Sequence, residues 1–163
     1  MNTTRWTLAG IVLASLFGIA AALVTQHVYG MQPCPWCVLQ RAVLAAMAVA
    51  ALLALLLPGW PKKLAIMMLV ALAIGGAAAA LWQHFVAAAS SSCNLTLADR
   101  IMAGLGLDAA WPAVFMATAS CADAKVNLFG LPYEAWSLAL FVLLCLAGLR
   151  LLRPAPRRRM FSR

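Results

Sequence analysis

Two cysteines, Cys34 and Cys37, bracket Pro35-Trp36, and Arg41 follows one helical turn later. Thiols at this spacing can close into a disulfide, pass electrons to another pair and be reoxidised, provided that an electron acceptor is within reach. The reactive form is the thiolate, so whatever stabilises negative sulfur matters. Pro33 and Pro35 restrict the backbone around Cys34. A helix that begins around Cys37 puts that sulfur near unpaired N–H groups and the positive end of the helix dipole. Arg41 lies at i+4 from Cys37 and i+7 from Cys34, on the same helix face. Two further cysteines, Cys93 and Cys121, lie in the longest polar stretch. Cys145 sits within an apolar run with no partner at its depth, and reads as packing.

The elements that must position these thiols are apolar. Of the 163 residues 66% are hydrophobic and only 10% charged, too little polar surface for a soluble domain of this size. Four runs, at about 6–25, 38–57, 64–85 and 135–152, are each near the roughly 20 residues that cross a bilayer core of about 30 Å. The expected fold is an all-α membrane protein: a single integral domain over 1–163, built as a four-transmembrane-helix bundle. The first run is read as a retained helix rather than a signal peptide, because Gln26, His27 and Tyr29 follow it where a cleavage site would stand.

Small residues, Gly10, Ser15 and Gly18 in the first run and Gly75-Gly76 in the third, predict close helix packing. Pro58-Gly59-Trp60-Pro61, completed by Lys62 and Lys63, predicts a tight turn. Trp6 and Trp60 at one level, and Trp36, Trp82 and Trp136 at the other, predict an aromatic belt. The connecting segments are 26–37 and 86–134. The second contains amphipathic pieces within Leu95–Leu107 and Ala109–Ala117, which predict a short helix on the membrane surface.

Charge orients the bundle. Arg5, Lys62, Lys63, Arg150, Arg153, Arg157, Arg158, Arg159 and Arg163 are nine of the twelve basic residues, and all fall on one side of the four runs. The acids Asp99, Asp108, Asp123 and Glu134 fall on the other side or at its border. The positive-inside rule therefore puts both termini in the cytoplasm and both cysteine-bearing segments outside, which in a bacterium is the periplasm, where disulfides persist. The net charge of +8 and the basic tail 153–163 then read as a topology anchor on anionic lipid, with no nucleic-acid module to suggest otherwise.

Four cysteines on one side invite other readings. A zinc site normally brings two close pairs, which Cys93 and Cys121 do not form, so no metal is expected. Haem attachment fails because Val38 follows Cys37. A purely structural Cys-x-x-Cys disulfide closes too short a loop to stabilise much. Redox exchange fits best. A thiol pair at the lip of a helix bundle can reach lipid-soluble electron carriers, and Arg41 can stabilise both a Cys37 thiolate and a reduced quinone oxygen. His84, near the outer end of the third run, reads equally as a satisfied structural residue or as a group well placed to give a proton to a quinone, whereas the interfacial His27 reads as bonded to headgroups or water.

These residues resemble the bacterial disulfide bond formation protein B (DsbB) family over essentially the whole chain. The resemblance rests on Gln26-His27, on Cys34-x-x-Cys37 with Arg41, on the separated Cys93 and Cys121, and on Phe129-Gly130-Leu131 leading to Trp136. It implies a quinone-dependent oxidase of the inner membrane that reoxidises DsbA, a periplasmic thioredoxin-like dithiol oxidase. On that pattern the partner attacks a Cys93-Cys121 disulfide at Cys93, Cys121 exchanges with Cys34, and Cys37 gives electrons to ubiquinone or menaquinone. Arg41 and His84 match the family's quinone-site arginine and histidine. A vitamin K epoxide reductase-like protein also links thiol pairs to a quinone, but there the Cys-x-x-Cys follows the loop pair. A membrane protein with merely structural disulfides is the non-enzymatic alternative.

The orientation has a direct check. In intact spheroplasts a membrane-impermeant maleimide added outside should label reduced Cys93 and Cys121, and labelling confined to inverted vesicles would reverse the topology.

Overall fold

The computed structural model describes residues 3–87, 96–123, 126–128 and 130–153. Four long helices dominate it: α1 (Thr3–His27), α2 (Pro35–Leu56), α3 (Gly59–Phe85) and, after the external segment, α7 (Tyr133–Leu152). They contain 25, 22, 27 and 20 residues, and all four are long and apolar enough to cross a membrane. Large apolar side chains such as Leu13, Phe17, Leu56 and Leu143 point outward, as the lipid-facing surface of a bundle requires. The chain is a multi-pass, four-helix membrane protein.

Helix boundaries depart from the apolar runs where local chemistry extends them. α2 starts at Pro35 rather than 38, because a proline suits the first helical position and the Cys34 sulfur accepts the Cys37 N–H as an N-cap. α3 starts at Gly59 rather than 64. The expected turn at 58–63 is corrected accordingly: Pro58 is the N-cap, and Lys62 and Lys63 belong to the first turns of α3. Gly59, at φ +69°, makes the reversal that lets so short a connection work.

α2 packs between α1 and α3, and α7 packs on α3. The core is built from Leu8 and Ile11, from Leu44, Met47 and Ala51, from Ile66, Leu69 and Ala73, and from Phe141 and Leu144, with Cys145 packed at its margin. Small residues set the helix spacing, as expected of Gly18 and Gly76. A side chain at Gly18 would come within 2.7 Å of Leu140, and one at Gly76 would fall on the ring of Phe141. Gly148 does the same service against Val70, at 2.7 Å. Gly10 and Gly75, by contrast, face open space.

The external segment is more broken than the one surface helix expected of it. It holds α4 (Leu97–Leu105), α5 (Leu107–Ala110), α6 (Pro112–Phe115) and a hairpin of β1 (Asn127–Leu128) and β2 (Leu131–Pro132). A reciprocal capping box between Thr96 and Asp99 starts α4, and Gly106 in the left-handed region ends it. α4 buries Ala98 and Met102 and turns Leu97, Ile101 and Leu105 outward, an apolar stripe of the kind that rests on a bilayer surface. Two-residue strands carry too little alternation to be read from sequence.

The aromatic belt needs one correction. Trp6, Trp60, Trp82 and Trp136 are exposed, but Trp36 is buried, its ring centroid 6.4 Å from that of Trp82. Its first duty is to pack beside Cys34 and Cys121 in a second apolar cluster.

α3 and α7 meet closely at Gly76, where a side chain would fall on the ring of Phe141. Gly76→Ala should lower the thermal unfolding midpoint in detergent, at a cost of about 1–3 kcal/mol, because the fully buried Phe141 has nowhere to go.

Candidate active site

The first turn of α2 determines where the sulfurs lie. Helix-starting N–H groups have no partner within the helix, and Pro35 carries none. The next two are given to sulfur: Trp36 N–H to Cys121 and Cys37 N–H to Cys34 Sγ at 3.3 Å. Cys34 Sγ in turn lies 2.6 Å from Cys37 Sγ and hydrogen-bonds to Cys121 on its other side. Three of the four expected redox cysteines therefore form one cluster, with Cys34 in the middle. Cys93 lies outside the described residues, as do Asn94, Phe129 and the basic tail beyond Arg153.

Cys121 is delivered by the backbone. Pro33 O accepts N–H groups from Thr118 at 3.0 Å and Ala119 at 3.3 Å, and Thr118 Oγ1 donates to Gln32 Oε1. Ser120 and Asp123 then clasp each other around the cysteine, Ser120 Oγ to Asp123 Oδ2 at 2.6 Å. Electrostatics separates the sulfurs. Hydrogen bonds to Cys121 and Cys37, with burial, push Cys34 far above the ordinary thiol range. The hydrogen bond from Cys34 and the Trp36 amide draw Cys121 below it. The middle sulfur is biased toward the thiol, and Cys121 toward the thiolate.

Arg41 is buried, not extended to the interface as an arginine at a helix lip often is. Its Nη1 donates to Gln26 Oε1 at 2.5 Å and Val114 O at 3.0 Å, and its Nη2 to Ala22 O at 3.2 Å. It thereby ties α2 to the end of α1 and to α6. Its Nε is buried with no protein partner among the described residues. Arg41 and Cys37 line a common cavity of about 280 Å³. The polar part of its wall adds Gln40, Gln83, Thr25, Tyr133 and Ser137. The apolar part includes Phe17, Ala21, Leu44 and Leu140, from α1, α2 and α7.

His84 is not among the residues that line this cavity. Its Nδ1 pairs with Glu134 Oε1 at 2.9 Å, linking α3 to the start of α7, and the side chain is 45% exposed. Successive residues on a helix are turned by about 100°, and it is Gln83 that faces the cavity. Gln83 and Gln40 went unnoticed in the sequence. The available signal was that each is a lone amide in an apolar run, Gln40 one turn after Cys37. His27 reaches the Ala113 carbonyl at 3.3 Å rather than headgroups alone.

A sulfur cluster on the end of a membrane helix, beside a buried arginine and a mostly apolar cavity, defines a membrane-embedded thiol–disulfide protein. The family model for disulfide bond formation protein DsbB matches residues 4–151, and the chain belongs to that family. Curated relatives agree. A Disulfide bond formation protein B 1 from Pseudomonas syringae pv. syringae is 36% identical over 138 residues, covering 83% of this chain and 80% of its own. A Disulfide bond formation protein B from Acinetobacter baumannii is 33% identical over 148 residues, 85% of each chain. One from Herminiimonas arsenicoxydans is 28% identical over 147 residues, covering 90% and 93%. Disulfide formation is thus the chemistry of this membrane protein.

The sulfur cluster predicts how Cys121 titrates. In the reduced chain Cys34→Ala removes the hydrogen bond that favours the Cys121 thiolate, so site-resolved alkylation of Cys121 should shift to higher pH. An unshifted profile would separate Cys121 from Cys34.

Proposed function

We propose that the protein carries electrons from a reduced, periplasmic, DsbA-type dithiol oxidase to ubiquinone or menaquinone in the bacterial inner membrane. The observation that carries this reading is that Cys37 and Arg41 share one largely apolar cavity. The residues present suit a quinone. Phe17, Leu44 and Leu140 offer the apolar wall that an isoprenoid chain needs. Cys37, Gln83, Tyr133 and Arg41 supply the polar groups of its wall. A bound quinone would supply a two-electron, two-proton acceptor.

The chain's own residues perform the exchange. A partner thiolate attacks Cys93 of a Cys93-Cys121 disulfide, forming a mixed disulfide and releasing Cys121 as thiolate. Cys121, already drawn toward that form and in hydrogen-bonding contact with Cys34, attacks Cys34 of a Cys34-Cys37 disulfide. The Cys34-Cys37 bond breaks and Cys37 leaves as thiolate, beside the Arg41 charge and the Gln83 amide, 3.3 Å away. The second partner thiol then attacks the partner's own sulfur in the mixed disulfide, closing the partner's disulfide and releasing Cys93, which attacks Cys121 of the Cys34-Cys121 bond, restoring Cys93-Cys121 and freeing Cys34. Re-closure of the Cys34-Cys37 bond releases the two electrons and two protons that a bound quinone would accept. Overall the partner loses two electrons and two protons as its disulfide forms, and the acceptor gains them. The pair His84 Nδ1–Glu134 Oε1, at 2.9 Å, sits one residue from the lining residues Gln83 and Tyr133, and His84 is the side chain that would give a proton to the reduced acceptor.

Purified chain given a soluble quinone analogue and a reduced periplasmic dithiol protein should consume quinone absorbance. Cys37→Ser should abolish turnover, and Cys145→Ala should leave it nearly intact. Turnover retained in Cys37→Ser rejects the order of exchange. Arg41→Ala should raise the apparent KM for quinone, and an unchanged KM rejects that role.

A further inference from the structure

Gln40 and Gln83 are 4% and 6% exposed, in the outer halves of two membrane helices. Gln40 Nε2 donates to Gln83 Oε1 at 2.7 Å, and Gln83 Nε2 donates to Cys37 Sγ at 3.3 Å. The two bonds are coupled. In this arrangement Gln40 takes the Gln83 Oε1, and the end of the Gln83 amide that meets the sulfur is its NH₂, a donor that never titrates. An N–H donor favours a thiolate over a thiol, more strongly in a low-dielectric site than in water.

We infer that Gln40 and Gln83 form a positioning dyad in which Gln40 fixes the amide orientation of Gln83 so that it holds Cys37 as the thiolate. Neither glutamine reacts: Gln83 acts on Cys37, and Gln40 acts through Gln83. The dyad joins α2 to α3, so the sulfur that leaves the Cys34-Cys37 bond is received by a helix that carries no cysteine of the cluster. Arg41 approaches from the same helix as Cys37 and is tied to α1 and α6, whereas the amide approaches from α3. The two donors are therefore independent. The inference deepens the proposed function, resting on its assignment of Cys37 as the electron-donating sulfur.

Two buried amides on adjacent membrane helices also bond those helices together, and that role alone would alter stability without altering the sulfur. The test reads the sulfur directly. The fully reduced, full-length chain in detergent is treated with iodoacetamide across a range of pH, and the Cys37 adduct is measured by peptide mass spectrometry. Gln83→Met keeps the side-chain length and removes the donor. It should slow Cys37 alkylation at neutral pH about tenfold, the order expected for one hydrogen bond to a charged group, and move the profile to higher pH. Gln40→Met leaves Gln83 in place but free to turn, and should shift the profile the same way by less. A Cys37 profile in either folded variant that coincides with the unsubstituted chain overturns the dyad, whatever happens to the unfolding temperature. If Gln83→Met does not fold, Gln40→Met carries the test. No quinone and no partner enters the measurement, so its failure is separate from failure of the electron route.

Discussion

The site depends on a shortage of hydrogen-bond acceptors at the start of α2. A helix that begins at the edge of a bilayer must dispose of its first N–H groups without the help of an acidic cap, and α2 has no acidic residue in its first turn. Pro35 removes one donor, and sulfur takes the next two, Cys121 from Trp36 and Cys34 from Cys37. The same contacts that complete the helix thus hold three thiols together and bias which of them is charged. Backbone bookkeeping and redox chemistry are one arrangement here.

Arg41 answers the complementary problem of a cation within a membrane helix. Such a charge is costly unless it is hydrogen-bonded, and carbonyls from Ala22 and Val114, with the Gln26 amide, provide the bonds. These partners come from α1 and α6, so the guanidinium organises the outer end of the bundle as well as facing the cavity. Its Nε is buried with no partner among the described residues.

Much of this was legible in the sequence because membranes impose simple rules. Length and hydropathy located all four long helices, and cysteine spacing located the chemistry, since Cys34, Cys37 and Arg41 are fixed relative to one another by one helix. The sequence is silent where a neighbour outvotes a local pattern. Apolar runs could not show that Pro35 and Gly59 begin their helices, because those residues are recruited by capping. Trp36 looked like a belt residue until the external segment covered it. His84 and Gln83 could not be told apart by composition, since which of them faces inward depends on how α3 is rotated against α2 and α7. That Cys121 meets Cys34 is a tertiary fact, carried by the Pro33 carbonyl, and no spacing encodes it.

That carbonyl has a mechanical consequence. By pinning Thr118 and Ala119, it leaves Cys121 on a leash of two or three residues, and a chain extends by at most about 3.6 Å per residue. The sulfur can therefore travel only about 10 Å from its anchor while the pin holds. Any disulfide that Cys121 makes while the pin holds is therefore made inside that small sphere, beside the mouth of the bundle.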